Sequence, residues 1–142
     1  MEYNLVASGV KLLGTTVKKM DVENNICNIE REAKRSLGLN ITEPHIKKHN
    51  NNLWAQLTID FEVVINQENQ DFKMDMSIEG AFASEEDVEE DKFKQFVAVN
   101  GAAAIIGIAR GKIESITANI FNEGKVSLPF VNVIEYYNSL VE

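Results

Sequence analysis

From Trp54 onward the chain alternates, with Leu57, Ile59, Phe61, Val63 and Ile65 on one apolar register and Gln56, Thr58, Asp60 and Glu62 between them. A period of two is that of a half-buried strand, one face core and the other wet. After the polar run Asn66 to Asp71 the pattern returns. Phe72, Met74, Met76 and Ile78 face one way, and Lys73, Asp75, Ser77 and Glu79 the other. The two runs predict an antiparallel hairpin. Leu37, Leu39 and Ile41 predict a third strand, with His49 to Asn52 supplying turn chemistry before Trp54. Gly9 to Met20, rich in Thr, Val and Leu but without clean alternation, predicts the remaining strand. Asn24 to Ser36 fits a short surface helix or an irregular crossover, since Ile26, Ile29, Ala33 and Leu37 sit at helical spacing.

The period lengthens after Phe82. Ser84 is placed to cap a helix, and Glu85, Glu86, Asp87, Glu89 and Glu90 lie where a helix dipole favours negative charge. Phe93, Phe96 and Val97 form its apolar stripe, and Asn100-Gly101 predicts a kink. A longer helix is expected from Ala102 to Asn122, ending at Gly124, with Ile106, Ala109, Ile113, Ile116 and Ile120 as its apolar face. A second stripe, Ala103, Gly107, Gly111 and Ser115, recurs every four residues and carries almost no side chain. Each glycine inside a helix costs about 1 kcal/mol relative to alanine, so this ridge needs a compensating close approach by another element. Lys125 to Leu128 is expected to be extended. Val133, Tyr136, Tyr137 and Leu140 predict a short terminal helix. The fold class is α+β: a four-stranded antiparallel sheet, a long helix and a short terminal helix, in one domain spanning residues 1–142.

The 142 residues are 44% hydrophobic and 25% charged, the composition of a globular chain. The formal net charge of −8 repels nucleic-acid phosphates and anionic lipid, so neither nucleic acid nor membrane is an expected partner. The start of the chain lacks the basic end and apolar run of a signal peptide, and no apolar stretch approaches the ~20 residues that span a bilayer. A cytoplasmic location is expected. Cys27 is the single cysteine, which excludes an intrachain disulfide. His45 and His49 have the four-residue spacing of zinc ligands on a helix, but Pro44 and the asparagines nearby argue for strand and turn. No cofactor, metal site or catalytic residue is expected. Arg110 stands alone among small and apolar residues, where pairing with an acid or capping the sheet is the expected role. Met74, Met76, Phe72 and Phe82 fit a core stripe or an adaptable apolar binding groove.

The end of the chain carries a resemblance. Asn100-Gly101, Ile106, Ala109-Arg110, Ile113, Ile116 and Thr117, then Leu128-Pro129-Phe130-Val131-Asn132, and Gly80-Ala81-Phe82 followed by acids, resemble the SecB family of chaperones that hold unfolded preproteins for export. Gly107 and Ile108 stand where the family has Pro-Tyr, and Val133 replaces a phenylalanine. The resemblance implies a homo-oligomer, a dimer of dimers with helices sandwiched between sheets, in which Ala103, Gly107, Gly111 and Ser115 permit close contact. It implies an ATP-independent holdase whose clients are unfolded polypeptides. Candidate peptide-binding residues are Trp54, Phe72, Met74, Met76 and Phe130. The family's acidic surface for the export motor SecA falls on Leu12, Thr16, Lys73 and Asp75, of which only Asp75 is an acid, and this argues against delivery to SecA. Another partner, such as a toxin–antitoxin system, fits these departures. Rival expectations are a small-molecule-binding sheet gripping a helix, and a thioesterase-type enzyme. The glycine ridge has no role in the first, and the late position of the helix disfavours the second.

Overall fold

A computed structural model describes residues 9–85 and 87–141 of the chain. Five strands, β1 (Val10–Asn24), β2 (Lys34–Ile41), β3 (His45–His49), β4 (Asn52–Gln67) and β5 (Gln70–Ser84), precede helices α1 (Glu90–Phe96), α2 (Ala102–Ile120) and α3 (Val133–Val141). The antiparallel sheet is four strands wide. Its order is β1-β5-β4-β2, and β3 continues the β2 edge of β4 beyond Pro44. The long alternating run pairs as expected, Trp54 with Ala83 through Gln67 with Gln70. Its two-residue turn places Asn69 at φ 56°, and Asn50 adopts the same angle in the β3–β4 turn; asparagine tolerates this conformation well.

Several boundaries differ from expectation for physical reasons. Residues 45–49 form a short strand of their own, with His49 its last residue rather than part of the turn, because only Asn50 and Asn51 are needed to reverse the chain. Ser84 ends β5 instead of capping a helix, and its Oγ accepts the Leu53 N–H at 2.9 Å. The first helix starts at Glu90, with no side-chain cap. Residues 25–33 are the crossover that carries the chain from one sheet edge to the other, tied to the end of α2 by Asn122 N–H donating to the Cys27 carbonyl. Asn100-Gly101 does not break the helix. Residues 97–101 form a π-helical turn, so Glu90–Ile120 is one rod. Gly124 lies beyond the helix, at φ +103° and packed against Ile29.

The core lies between the rod and the sheet. Ala102, Ile105, Ile106, Ala109 and Ile113 of α2 are buried against the odd-numbered residues of β4 and the even-numbered ones of β5. Glycines do set this approach, but they are Gly80 and Gly101 rather than those of the α2 ridge. A Cβ on Gly80 would lie 2.6 Å from Ile105 Cδ1, and one on Gly101 2.9 Å from Phe82 Cζ.

By length and composition alone, the rod Glu90–Ile120 would suffice to cross a membrane. Ala, Gly and Ile raise its mean hydropathy although no uninterrupted run does. The isoleucine side is committed to the sheet; the small side is not.

After α2 the chain doubles back as a strap, residues 121–132, with Val126 and Leu128 buried. Thr117 fastens it. Its hydroxyl donates to the Ile113 carbonyl at 2.8 Å and accepts the Val126 N–H at 2.8 Å, with no solvent access. Thr117→Val keeps the shape but leaves that buried N–H unpaired, which costs about 1–3 kcal/mol. The expected result is a lower urea midpoint with an unchanged slope.

Candidate functional site

Parity along the strands decides where each candidate lies. Phe72, Met74 and Met76 are on the core face of β5 with exposures of 0%, 0% and 1%, and Phe72 meets the Phe121 ring edge-on at 5.0 Å. They belong to the core and offer no surface of their own. Trp54 falls on the opposite parity, so it stands on the outer face of the sheet, 43% exposed. Phe130 is 92% exposed, and the Arg110 guanidinium sits 4.5 Å from its ring centroid. The candidates therefore form no single site.

Among the described residues, Arg110 neither pairs with an acid nor caps the sheet. Its Nε and Nη2 donate to the Leu128 and Pro129 carbonyls at 3.2 and 3.1 Å, holding the strap so that Phe130 projects from it. The charge is satisfied by carbonyls because the strap there presents backbone and no carboxylate.

Asp75 is also on the outer face, half-exposed, in a row with Glu62 on β4 and Asp21 on β1. Lys73 lies 3.9 Å from Asp75, and Lys19 lies 3.4 Å from Asp21. The aligned acids make this end of the face negative, although two of them lie outside the positions that the resemblance marks. His45 and His49 also share the outer face. Four strand residues separate them by about 13 Å, too far for two imidazoles to hold one ion.

Among the described residues, three apolar surfaces remain open. The first is the helix side of β1. Register pairs Leu12, Val17, Met20 and Val22 with Phe82, Ile78, Met76 and Met74, so they continue the core face. They are 36–47% exposed, because the rod covers β4 and β5 but not this edge strand. The second is the α2 ridge. Ala103, Gly107, Gly111 and Ser115 are exposed, and nothing lies within 4 Å of a Cβ built on either glycine. The third is a groove of about 590 Å³ between the rod, α3 and the β2–β3 junction, walled by Ile41, Pro44, Ala98, Tyr136, Tyr137 and Leu140. Two contacts define this groove. Tyr136 Oη accepts the Ile41 N–H at 3.2 Å, and Lys94 hydrogen-bonds Glu43 at the rim. That hydrogen bond, with the attraction of the two charges, holds the Glu43 carboxyl below and the Lys94 ammonium above their ordinary pKa ranges.

The β1 stripe and the groove were missed in the sequence. Two bulges, between Leu12 and Gly14 and between Val17 and Lys19, shift the register of β1, so its apolar residues do not alternate on paper. The groove gathers residues from three distant segments, which no local period can bring together.

Comparison with solved structures decides the fold. A SecB-like chaperone of Mycobacterium tuberculosis, solved in complex with a ChAD peptide from the HigA1 antitoxin, superposes with a TM-score of 0.63 at 12% identity, covering 87% of this chain and 92% of that one. The chain has a SecB-like fold. A protein of unknown function from Streptococcus agalactiae also matches, with a TM-score of 0.54 at 17% identity over 88% of this chain and all of that one. No family model and no curated protein matches the chain. The SecB-like architecture accounts for the sheet order, the late helical rod and the terminal helix together.

Proposed function

We propose that the chain is a cytoplasmic, ATP-independent holdase that binds extended, unfolded polypeptide and works as a homo-oligomer. The observation that carries this reading is the open apolar groove beside α3 on a SecB-like scaffold. Its volume of about 590 Å³ lies in the range of pockets that bind ligands, and its walls combine aliphatic and tyrosine side chains with a polar rim of Thr42, Glu43, Asp91, Lys94 and Gln95. An extended client would bury apolar side chains there, and hydrophobic burial needs neither nucleotide nor metal. Phe130, projecting from the strap, would add an aromatic anchor. The chaperone from Mycobacterium was solved with a peptide bound, which supports polypeptide as the client class.

Two exposed features support assembly. The β1 edge pairs with β5 alone among the described residues, and its apolar stripe lacks the helix that covers the rest of that face. The small ridge of α2 is bare, as a helix awaiting a close neighbour would be. A second copy would cover both.

Purified protein is expected to suppress aggregation of a chemically denatured enzyme on dilution, without ATP and at about one assembly per client. Light scattering that rises as in buffer alone, across a range of protein excess, would refute the holdase function.

A further inference from the structure

The two edges of the sheet differ in how they are protected. Strand β1 carries two bulges, and β3 follows Pro44 and carries Lys47 and Lys48. Bulges, prolines and lysines are the devices that keep an edge strand from pairing with another chain. Strand β2 has none of them from Ser36 to Asn40. It reads Ser-Leu-Gly-Leu-Asn there and runs without a shift of register against β4.

The end of β2 fixes which of its backbone groups face outward. The Thr42 N–H donates to the Thr58 carbonyl at 3.1 Å, so Thr42 turns its backbone toward β4. Direction alternates along an antiparallel strand, and Ile41, Leu39 and Leu37 therefore turn theirs away from the sheet. Ile41 shows this directly, because its N–H donates to Tyr136 Oη of α3 at 3.2 Å. The phenol stands where a neighbouring strand would supply a carbonyl. Among the described residues, the N–H groups of Leu37 and Leu39 meet no protein acceptor. The side chains of these three residues lie on the core face, opposite Val63, Phe61 and Ile59, and Leu37 and Leu39 are only partly covered there. Ile41 also lines the groove beside α3, so the open edge leads into it.

We propose that β2 takes an extended polypeptide segment as an added antiparallel strand, and that the segment draws the Ile41 N–H away from Tyr136, which guards the end of the edge. Residues opposite Leu37, Leu39 and Ile41 pair with them through both backbone groups and place their own side chains on the core face. Alternating apolar residues are thus selected by side chain and by backbone parity together. A second copy of β2 fits less well. In a symmetric pair centred on Gly38, each Ile41 would face Arg35, so two Tyr136 contacts would have to break for one interface. The inference rests on the holdase reading, because clients of a holdase arrive extended, and it deepens that reading by naming how their backbone is held.

The probe is the peptide Ser-Val-Thr-Ile-Thr-Val-Ser, capped, labelled with fluorescein and titrated with the full chain by anisotropy. Two further versions each carry a pair of backbone N-methyl groups, one on Ile and the Val after it, the other on the two Thr. With Val and Ile on the core face, their N–H groups face β2 and those of Thr face solvent. Methylation at Ile and Val is expected to weaken binding about tenfold or more, and methylation at Thr by less than about twofold. Tyr136→Phe keeps the ring in the groove wall and removes the competitor for Ile41, so the unmodified peptide should bind about fivefold tighter. No binding, any other ranking of the methylated peptides, or an affinity untouched by Tyr136→Phe overturns the proposal. Parity-selective binding by a protein that fails the aggregation assay would uphold the edge site and remove the holdase. Suppression of aggregation without parity selectivity would do the reverse.

Discussion

Gly80→Val is expected to destabilise the folded chain by about 3 kcal/mol, the upper end of the usual cost of overpacking a core. Valine favours strands, and in an open strand the change would gain at most about 1 kcal/mol. Here the sign reverses. Gly80 is buried on β5 where α2 crosses, and its first added carbon would meet Ile105 Cδ1 at 2.6 Å, Ile105 Cγ1 at 3.0 Å and the Phe82 ring at 3.2 Å. The Ile105 terminus alone could turn aside. The Phe82 ring cannot follow, since Gly101 of the rod already lies so close that a Cβ there would be 2.9 Å from it. The two further methyls of valine enlarge the conflict. Urea denaturation followed by circular dichroism checks this: the midpoint should fall steeply, and one within error of the parent would show that the rod does not sit as closely on the sheet as described.

Gly107→Leu is expected to do the opposite to the monomer while breaking the assembly. Nothing lies within 4 Å of a Cβ at this position, so leucine enters open space and should gain up to about 1 kcal/mol from helix propensity. Against a second copy packed on the ridge formed by Ala103, Gly107, Gly111 and Ser115, the same side chain would hold the helices apart. Sedimentation should therefore show a smaller particle from a chain that is no less stable. An unchanged mass would remove the ridge from the interface, and a lower monomer stability would contradict the exposure of Gly107. The opposite signs at Gly80 and Gly107 separate a glycine that serves the fold from one assigned to assembly.

Much of the fold was legible because its longest elements repeat cleanly. The β4–β5 hairpin follows from two uninterrupted registers, and the same parity already places Trp54 opposite Leu57 and sets Phe72, Met74 and Met76 in the core. Phe72, Met74 and Met76 have the size and polarizability of an adaptable binding surface, yet their parity puts them in the core. Other features were hidden for separate reasons. The bulges of β1 scrambled its alternation, the π turn absorbed the expected kink at Asn100-Gly101, and Ser84 found a strand N–H instead of a helix to cap. The role of Arg110 depends on the strap passing over α2, a tertiary fact with no local signature. The glycine ridge was legible as a pattern, but the glycines that bring helix and sheet together within the chain are Gly80 and Gly101, each isolated in sequence. Exposed apolar surface is the hardest of all to foresee, because Leu12, Val17, Met20 and Val22 look like core residues until the helix layer is seen to stop short of them.

The claim that most needs a direct test is that an assembly of this chain holds unfolded polypeptide. Native mass spectrometry of the purified protein mixed with a reduced, carboxymethylated client that cannot refold provides it. The expected result is a homo-oligomer carrying one client chain, formed without nucleotide and lost when the client is supplied folded. A monomer, or an oligomer that never carries the client at any ratio, would contradict it.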